Sequence, residues 1–215
     1  MWTRKDIKTK GKKAFLANYW NSVAILIFVA AITAICTTFG NVSTDSSNGG
    51  ITIEATVSLA AAAAISVIGL FVINPMICGS KAFYLSSAEN EKADIKEVFY
   101  FFKKDRYLNC VTVTFMTGLF VCLWSLLFVV PGIIKSYEYR MVPYILAENP
   151  EMTWNEVLNK SKEIMNGQKG NAFVLDLSFI GWEILNVCTL GILGAFYVNP
   201  YIEATDAELY LALKK

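Results

Sequence analysis

Eight charged side chains stand where hydropathy calls for apolar residues, and they are the positions with chemistry to offer. Lys135, Glu138 and Arg140 fall in one apolar stretch, Asp176 and Glu183 in the next, and Glu203, Asp206 and Glu208 in the last. An ionised side chain in hydrocarbon is costly unless it is paired or hydrated. Acids and bases occupy different stretches apart from Glu138, so salt bridges that fix helix register are one expectation. Carboxylates lining a hydrated substrate or proton path are another, and snorkelling to the interfaces a third. Asp176 and Glu183 are seven apart and share a helical face. Counted from the inner ends near Ala147 and Gly170, Lys135 lies level with Glu183 and Arg140 with Asp176, which makes these the expected pairs.

Three prolines form a second constellation: Pro75 after Asn74, Pro143, and Pro200 after Asn199. Each lies near the middle of an apolar segment that returns towards a basic region. Proline removes a backbone donor, frees a carbonyl and kinks a helix. In lipid the freed carbonyl must find a partner among its neighbours, so these breaks are expected to face protein. In secondary transporters such freed backbone groups coordinate ions, but kinks of this kind are also common without transport.

Other chemistries are disfavoured by composition. Histidine is absent, which removes Ser-His-Asp and Cys-His catalysis and every histidine-containing metal site. Cys36, Cys78, Cys110, Cys122 and Cys188 all lie in apolar runs without C-x-x-C spacing, and read as small hydrophobes. The expectation is no cofactor, no metal and no catalysis. With 19 basic and 18 acidic residues no global field exists to hold nucleic acid.

The elements that must position these residues follow from 55% hydrophobic and 17% charged residues, a membrane-protein composition. The apolar stretches are Ser22 to Phe39, Ala55 to Cys78, Cys110 to Val130, Ile133 to Ala147, Ala172 to Leu193 and Ala195 to Leu213. The fourth is short and the sixth carries acids, so charge topology decides. All 19 Lys and Arg fall in Arg4 to Lys13, Lys81 to Arg106, Lys135 to Lys169, and Lys214 with Lys215. Gly40 to Ile53, Pro131-Gly132 and Thr189 to Gly194 have none and read as outer connections. The expected fold is an all-α membrane protein with six transmembrane helices and both termini cytoplasmic, the first span a retained signal anchor.

Self-similarity divides the chain into 1–90, 91–149 and 150–215 within a single transmembrane domain. Ala88-Glu89-Asn90 followed by Glu97-Val98 matches Ala147-Glu148-Asn149 followed by Glu156-Val157. Amphipathic sets follow: Ile95, Val98, Phe99 and Phe102, then Trp154, Val157, Leu158 and Ser161. Thr153 to Glu156 has the form of a capping box, and Asp94 stands at the corresponding cap. Asp6-Ile7-Lys8 with Tyr19-x-Asn21 resembles Asp94-Ile95-Lys96 with Tyr107-x-Asn109, a third copy. The unit is a cytoplasmic interfacial amphipathic helix followed by a transmembrane hairpin, with Asp94 to Lys104 and Thr153 to Met165 the clearest interfacial segments.

The chain resembles the bacterial integral-membrane family known as domain of unknown function 975. The resemblance runs nearly end to end and rests on Asn18-Tyr19-Trp20, Pro131-Gly132-Ile133-Ile134-Lys135-Ser136-Tyr137, Val142-Pro143-Tyr144, Ser161-Lys162 with Gly167, Ser178-Phe179-Ile180-Gly181-Trp182, and Pro200-Tyr201. It implies a bacterial plasma membrane and supplies no activity or catalytic residue.

Two function classes follow. One is a non-catalytic polytopic protein whose partners are the lipid bilayer and anionic lipids or a membrane protein. Lys92, Lys96, Lys103 and Lys104 beside Phe99 and Phe102 fit headgroup contact. The other is a small secondary transporter or channel using intramembrane carboxylates and proline-broken helices. Ala60 to Ala64 with Gly69 offers a small-residue face for close helix packing. The oligomeric state is left open.

Overall fold

Helices account for nearly all of the computed structural model, which describes residues 2–40, 69–90 and 93–214 and has no strand among them. The first helix, α1 (Arg4–Ala17), starts where Thr3 caps it, Oγ1 accepting the Asp6 N–H at 3.2 Å. It buries Ile7, Gly11, Ala14 and Phe15, a spacing that puts all four on one face. After Asn18 the chain turns through 89° into α2 (Tyr19–Gly40), the angle being measured over Tyr19–Ala34.

A π-helical turn, Gly69–Ile73, leads into α3 (Asn74–Glu89). A 3₁₀ helix (Ile95–Phe102) follows, with Asp94 accepting the Lys96 N–H at 3.0 Å. Next come α4 (Lys104–Leu127), the extended residue Phe128, α5 (Val129–Glu138), a break at Tyr139 to Met141, and α6 (Val142–Glu148). The remaining helices are α7 (Trp154–Ile164), α8 (Lys169–Leu177), α9 (Ile180–Cys188), a second π-helical turn Gly194–Val198, and α10 (Asn199–Leu213).

Two runs among the described residues, Arg106–Leu127 and Lys169–Cys188, are long and apolar enough to cross a membrane; α1 and α2 make a third if their bent pair counts as one span. The expected six are thus not all seen as continuous spans. The fourth, Ile133 to Ala147, is split at Tyr139 to Met141, and the sixth is divided between a π turn and the acid-bearing α10. Most of the second, Ala55 to Cys78, the connection Gly40 to Ile53 and the Ala60 to Ala64 face lie outside the described residues. The Pro131-Gly132 turn moves: the reversal falls at Phe128, and Pro131 sits in the first turn of α5, where its missing N–H removes no helix bond. Gly132 is there because the α4–α5 hairpin is tight, and a Cβ would overlap Ser125.

The segment at Asp94 to Lys104 also differs from expectation. As a 3₁₀ helix it has three residues per turn, so it buries Val98 and Phe101 and leaves Ile95, Phe99 and Phe102 exposed. In α7 the capping box is present, the Thr153 N–H and Oγ1 both donating to Glu156 Oε2 at 2.9 and 2.8 Å. Val157, Leu158 and Ser161 are buried there, while Trp154 stacks on Phe120 at 6.2 Å.

Packing follows a regular pattern. The 3₁₀ helix lies on α3, α7 on α6, and α1 on α10, with α10 also against α3. Gly79 lets the backbone at Val98 approach so closely that a Cβ would overlap its carbonyl, and Gly11 does the same for Thr205. Ser161 Oγ donates to Glu138 O at 2.7 Å. Phe83, Tyr84, Tyr144, Ile145, Leu209 and Tyr210 fill the core between these elements.

Candidate functional site

The break at Tyr139 to Met141 places the central residue. Pro143 has no N–H to give to Tyr139 O, so the helix cannot run through. Tyr139 O instead accepts the Val142 N–H at 3.1 Å, and α6 restarts with Pro143 in its first turn. Arg140 leaves the chain at this break, and its guanidinium reaches two helices. Nη1 and Nη2 donate to Asp176 Oδ2 and Oδ1 of α8 at 2.7 and 2.8 Å, the two-pronged geometry that suits a carboxylate. Nη2 also donates to Asp206 Oδ1 of α10 at 2.6 Å, and Nε to Oδ2 at 3.3 Å. Tyr137 Oη adds a bond to Asp176 Oδ2 at 2.7 Å.

Beside this triad, Lys81 of α3 pairs with Glu203, one turn before Asp206 on α10, and lies 5.7 Å from the centre of the Tyr144 ring. Tyr144 is 1% exposed, and among the described residues its buried hydroxyl has no hydrogen-bond partner, as is the case for Ser22 Oγ. Glu203, Asp206, Arg140 and Tyr84 are the groups that act electrostatically on that hydroxyl.

Of the expected pairs, Arg140 and Asp176 are in contact and Lys135 and Glu183 are not. Lys135 bonds Glu138 one turn along its own helix at 2.9 Å, and Lys169 takes the other Glu138 oxygen at 2.7 Å. Glu183 accepts from Asn186 Nδ2 at 3.2 Å, again within one helix. The structure therefore gathers Arg140, Asp176 and Asp206 at one point, Lys135 and Glu138 at another, and adds Lys81 to Glu203. Among the described residues no group of three His, Cys, Asp or Glu is arranged to hold a metal ion. Cys78 and Cys110 are buried and free, Cys122 and Cys188 exposed and free.

The proline breaks have a structure that the sequence carried in plain view. Gly69 and Gly194 each stand five residues before an Asn-Pro pair, Asn74-Pro75 and Asn199-Pro200, and the five-residue stretch between is the π turn in both. Seven residues past each Asn come Lys81 and Asp206, so the two helices present a cation and an anion at equivalent positions. The carbonyl that Pro75 leaves free, Phe71 O, accepts from Tyr107 Oη at 2.7 Å. Lys81 went unrecognised because it lies past the apolar run ending at Cys78 and resembles a loop cation.

Outside these helix interiors, two groups are tuned by their surroundings. Lys8 Nζ donates to Ser178 O and Oγ at 3.2 and 3.1 Å, and burial, then nearby Arg4, push its ammonium below the usual range. Burial pushes the Glu97 carboxyl up, opposed by the Ser86 Oγ donor at 2.9 Å. At the ends of α1, α3 and α10 an open hollow of about 750 Å³ is rimmed by Trp2, Lys10, Glu89, Glu208 and Lys214.

Residues 128–215 match the family described as protein of unknown function (DUF975). This stretch holds the Pro131 to Tyr137 run, the proline break at Pro143, Ser178 to Trp182 and Pro200-Tyr201; Asn18-Tyr19-Trp20 lies before it. Comparison with the curated proteins and with the solved structures returns no match.

Proposed function

We propose that this chain is a non-catalytic, multi-pass protein of the bacterial plasma membrane, with both termini cytoplasmic, that holds anionic lipid headgroups along α1. The observation that carries this reading is the right-angle turn between α1 and α2. A helix at 89° to an apolar one lies along the membrane surface if its partner crosses it. The face of α1 opposite Ile7, Gly11 and Ala14 presents Lys5, Thr9, Lys12 and Leu16 to the surroundings. Trp20 at the bend is 75% exposed, a residue suited to the headgroup level. Each basic side chain near an anionic surface contributes about 1 kcal/mol.

Six spans in three hairpins remain the arrangement we infer, and the side-chain ties between units support it. Asn21, at the start of one apolar helix, donates to Ala93 O just before the 3₁₀ helix. Asn109, at the equivalent place in α4, donates to Pro150 O and Met152 O just before α7. Trp2, just before α1, donates to Gln168 at the start of α8 and closes the series. Each amphipathic helix then rests on the returning helix of the unit before it, and α1 rests on the last.

The test is the full chain in nanodiscs of mixed phosphatidylglycerol and phosphatidylcholine, with retained lipids read by native mass spectrometry. Phosphatidylglycerol should be retained preferentially, and replacing Lys5 and Lys12 by Gln should weaken this on the order of thirtyfold. Equal retention of both lipids would sink the proposal. A second reading, a small secondary transporter or channel, draws on the two π turns before Asn-Pro; ion flux through reconstituted vesicles would favour it.

A further inference from the structure

The charges linked around Arg140 do not sum to zero. Arg140 and Lys81 contribute two positive charges, and Asp176, Asp206 and Glu203 three negative ones. Lys81 and Glu203 balance each other, so the excess lies in the triad, one guanidinium between two carboxylates. Among the described residues the other titratable groups near it are Tyr137 of α5, Tyr144 of α6 and, beside Glu203, Tyr84 of α3. Lys8 of α1 is directed at Ser178 and Phe179, and Lys135 and Lys169 are held by Glu138. The stretch 41–68 contains no Lys or Arg to supply the missing charge. An uncompensated negative charge among buried groups is costly, and two carboxylates that share one cation lower that cost by taking up a proton.

We infer that the triad is a proton-binding site, with one exchangeable proton held on Asp206 Oδ2. The oxygens discriminate between the two aspartates. Both Asp176 oxygens accept short bonds from Arg140, Oδ2 also accepts from Tyr137, and the side chain is 35% exposed, all of which suit an ionised carboxylate. Asp206 is 12% exposed, and among the described residues its Oδ2 has only the long 3.3 Å contact with Nε. Protonating that oxygen gives up the weakest bond of the set and leaves Arg140 paired with Asp176 and with Asp206 Oδ1. The Tyr144 hydroxyl, buried and without a partner among the described residues, within the electrostatic reach of Asp206 and Glu203, is an independent sign of an incomplete polar site. The site is distinct from the basic face of α1 and does not rest on lipid binding.

Infrared spectroscopy of the full chain in nanodiscs reads this directly. The expected result at neutral pH is one carboxylic-acid carbonyl band that shifts in heavy water and disappears on alkaline titration. Isotope-labelled aspartate should move the band and labelled glutamate should not, a comparison that needs no substitution. Asp206→Asn should abolish it, and Asp176→Asn, which leaves Arg140 balanced by Asp206 alone, should move its disappearance to lower pH. Absence of the band in the unmodified chain, its displacement by labelled glutamate, or its survival in Asp206→Asn would overturn the assignment. So would a band present only when sodium and potassium are removed, since an alkali cation would then be the occupant.

Discussion

Around α3, α6 and α10 the chain buries tyrosines and ion pairs together, Tyr84, Tyr144 and Tyr210 among Lys81, Arg140 and Asp206, whereas at its hairpin tips it leaves large apolar side chains bare. Leu126, where α4 ends, is 84% exposed and Leu190, between α9 and α10, is 93% exposed. Phe128, Val129, Val130 and Val187 are exposed with them. In water that distribution would be unstable, because apolar surface is driven from contact with the solvent. Apolar helix surfaces of this kind are compatible with a membrane protein, and they contrast with the charged, buried region. The difference teaches that burial in this chain follows polarity as much as hydrophobicity: one region is held by paired charges and close backbone contacts, the other by its surroundings.

The comparison breaks most visibly at Arg140. Arg140→Met should cost about 3–5 kcal/mol, because it strands the Asp176 carboxylate and takes the guanidinium from Asp206. Adding Asp176→Asn and Asp206→Asn to it should recover much of the loss, a coupling that denaturation in nanodiscs can measure. Gly79→Ala should cost about 1–3 kcal/mol by pushing the 3₁₀ helix off α3. At the other region Leu126→Ala should stay within about 0.5 kcal/mol, since that side chain packs on little of the protein.

The smallest effects sharpen the boundary between the regions. Both donors of Thr153 hold the Glu156 carboxyl below the usual range, so the stability it adds to the start of α7 is present above about pH 4.3 and lost as pH falls through its lowered value. Glu97 has the opposite sign: burial raises it, so the folded state holds its proton longer and local stability declines as pH rises through that raised value. Amide hydrogen exchange across mildly acidic pH should therefore show α7 losing protection and the 3₁₀ helix gaining it as acid is added. Glu156→Gln should abolish the first response and leave the second, while Thr153→Ala, which keeps the backbone donor, should only weaken the first.

Much of this was legible in residue spacing and some was not. Depth counting set Arg140 level with Asp176, and they touch, because the break at Pro143 and the start of α8 leave that register intact. The same counting failed for Lys135 and Glu183: Lys135 finds Glu138 within its own helix, and the turn at Ser178-Phe179 intervenes before Glu183. Asp206 counted only as one of the fifth- and sixth-span carboxylates near which Lys135 and Arg140 were expected, behind Asp176 and Glu183, since which face of α10 meets Arg140 depends on the π turn before it. Hydropathy gave a capping box at Thr153 correctly but read Ile95–Phe102 with an α-helical period, when a 3₁₀ turn buries Phe101. The glycines that set the closest contacts, Gly11 and Gly79, carry no local signal, as their need lies in a distant backbone.

The claim that the two regions face different solvents is tested most directly by spin labels on the full chain in nanodiscs, with its native cysteines replaced. Labels at Leu126, Val129 and Ile184 should relax chiefly with dissolved oxygen, which concentrates in hydrocarbon, and labels at Lys5, Lys12 and Lys160 with a water-soluble nickel chelate. Equal access of the chelate to both sets, or a preference for it at Leu126 and Val129, would contradict the account.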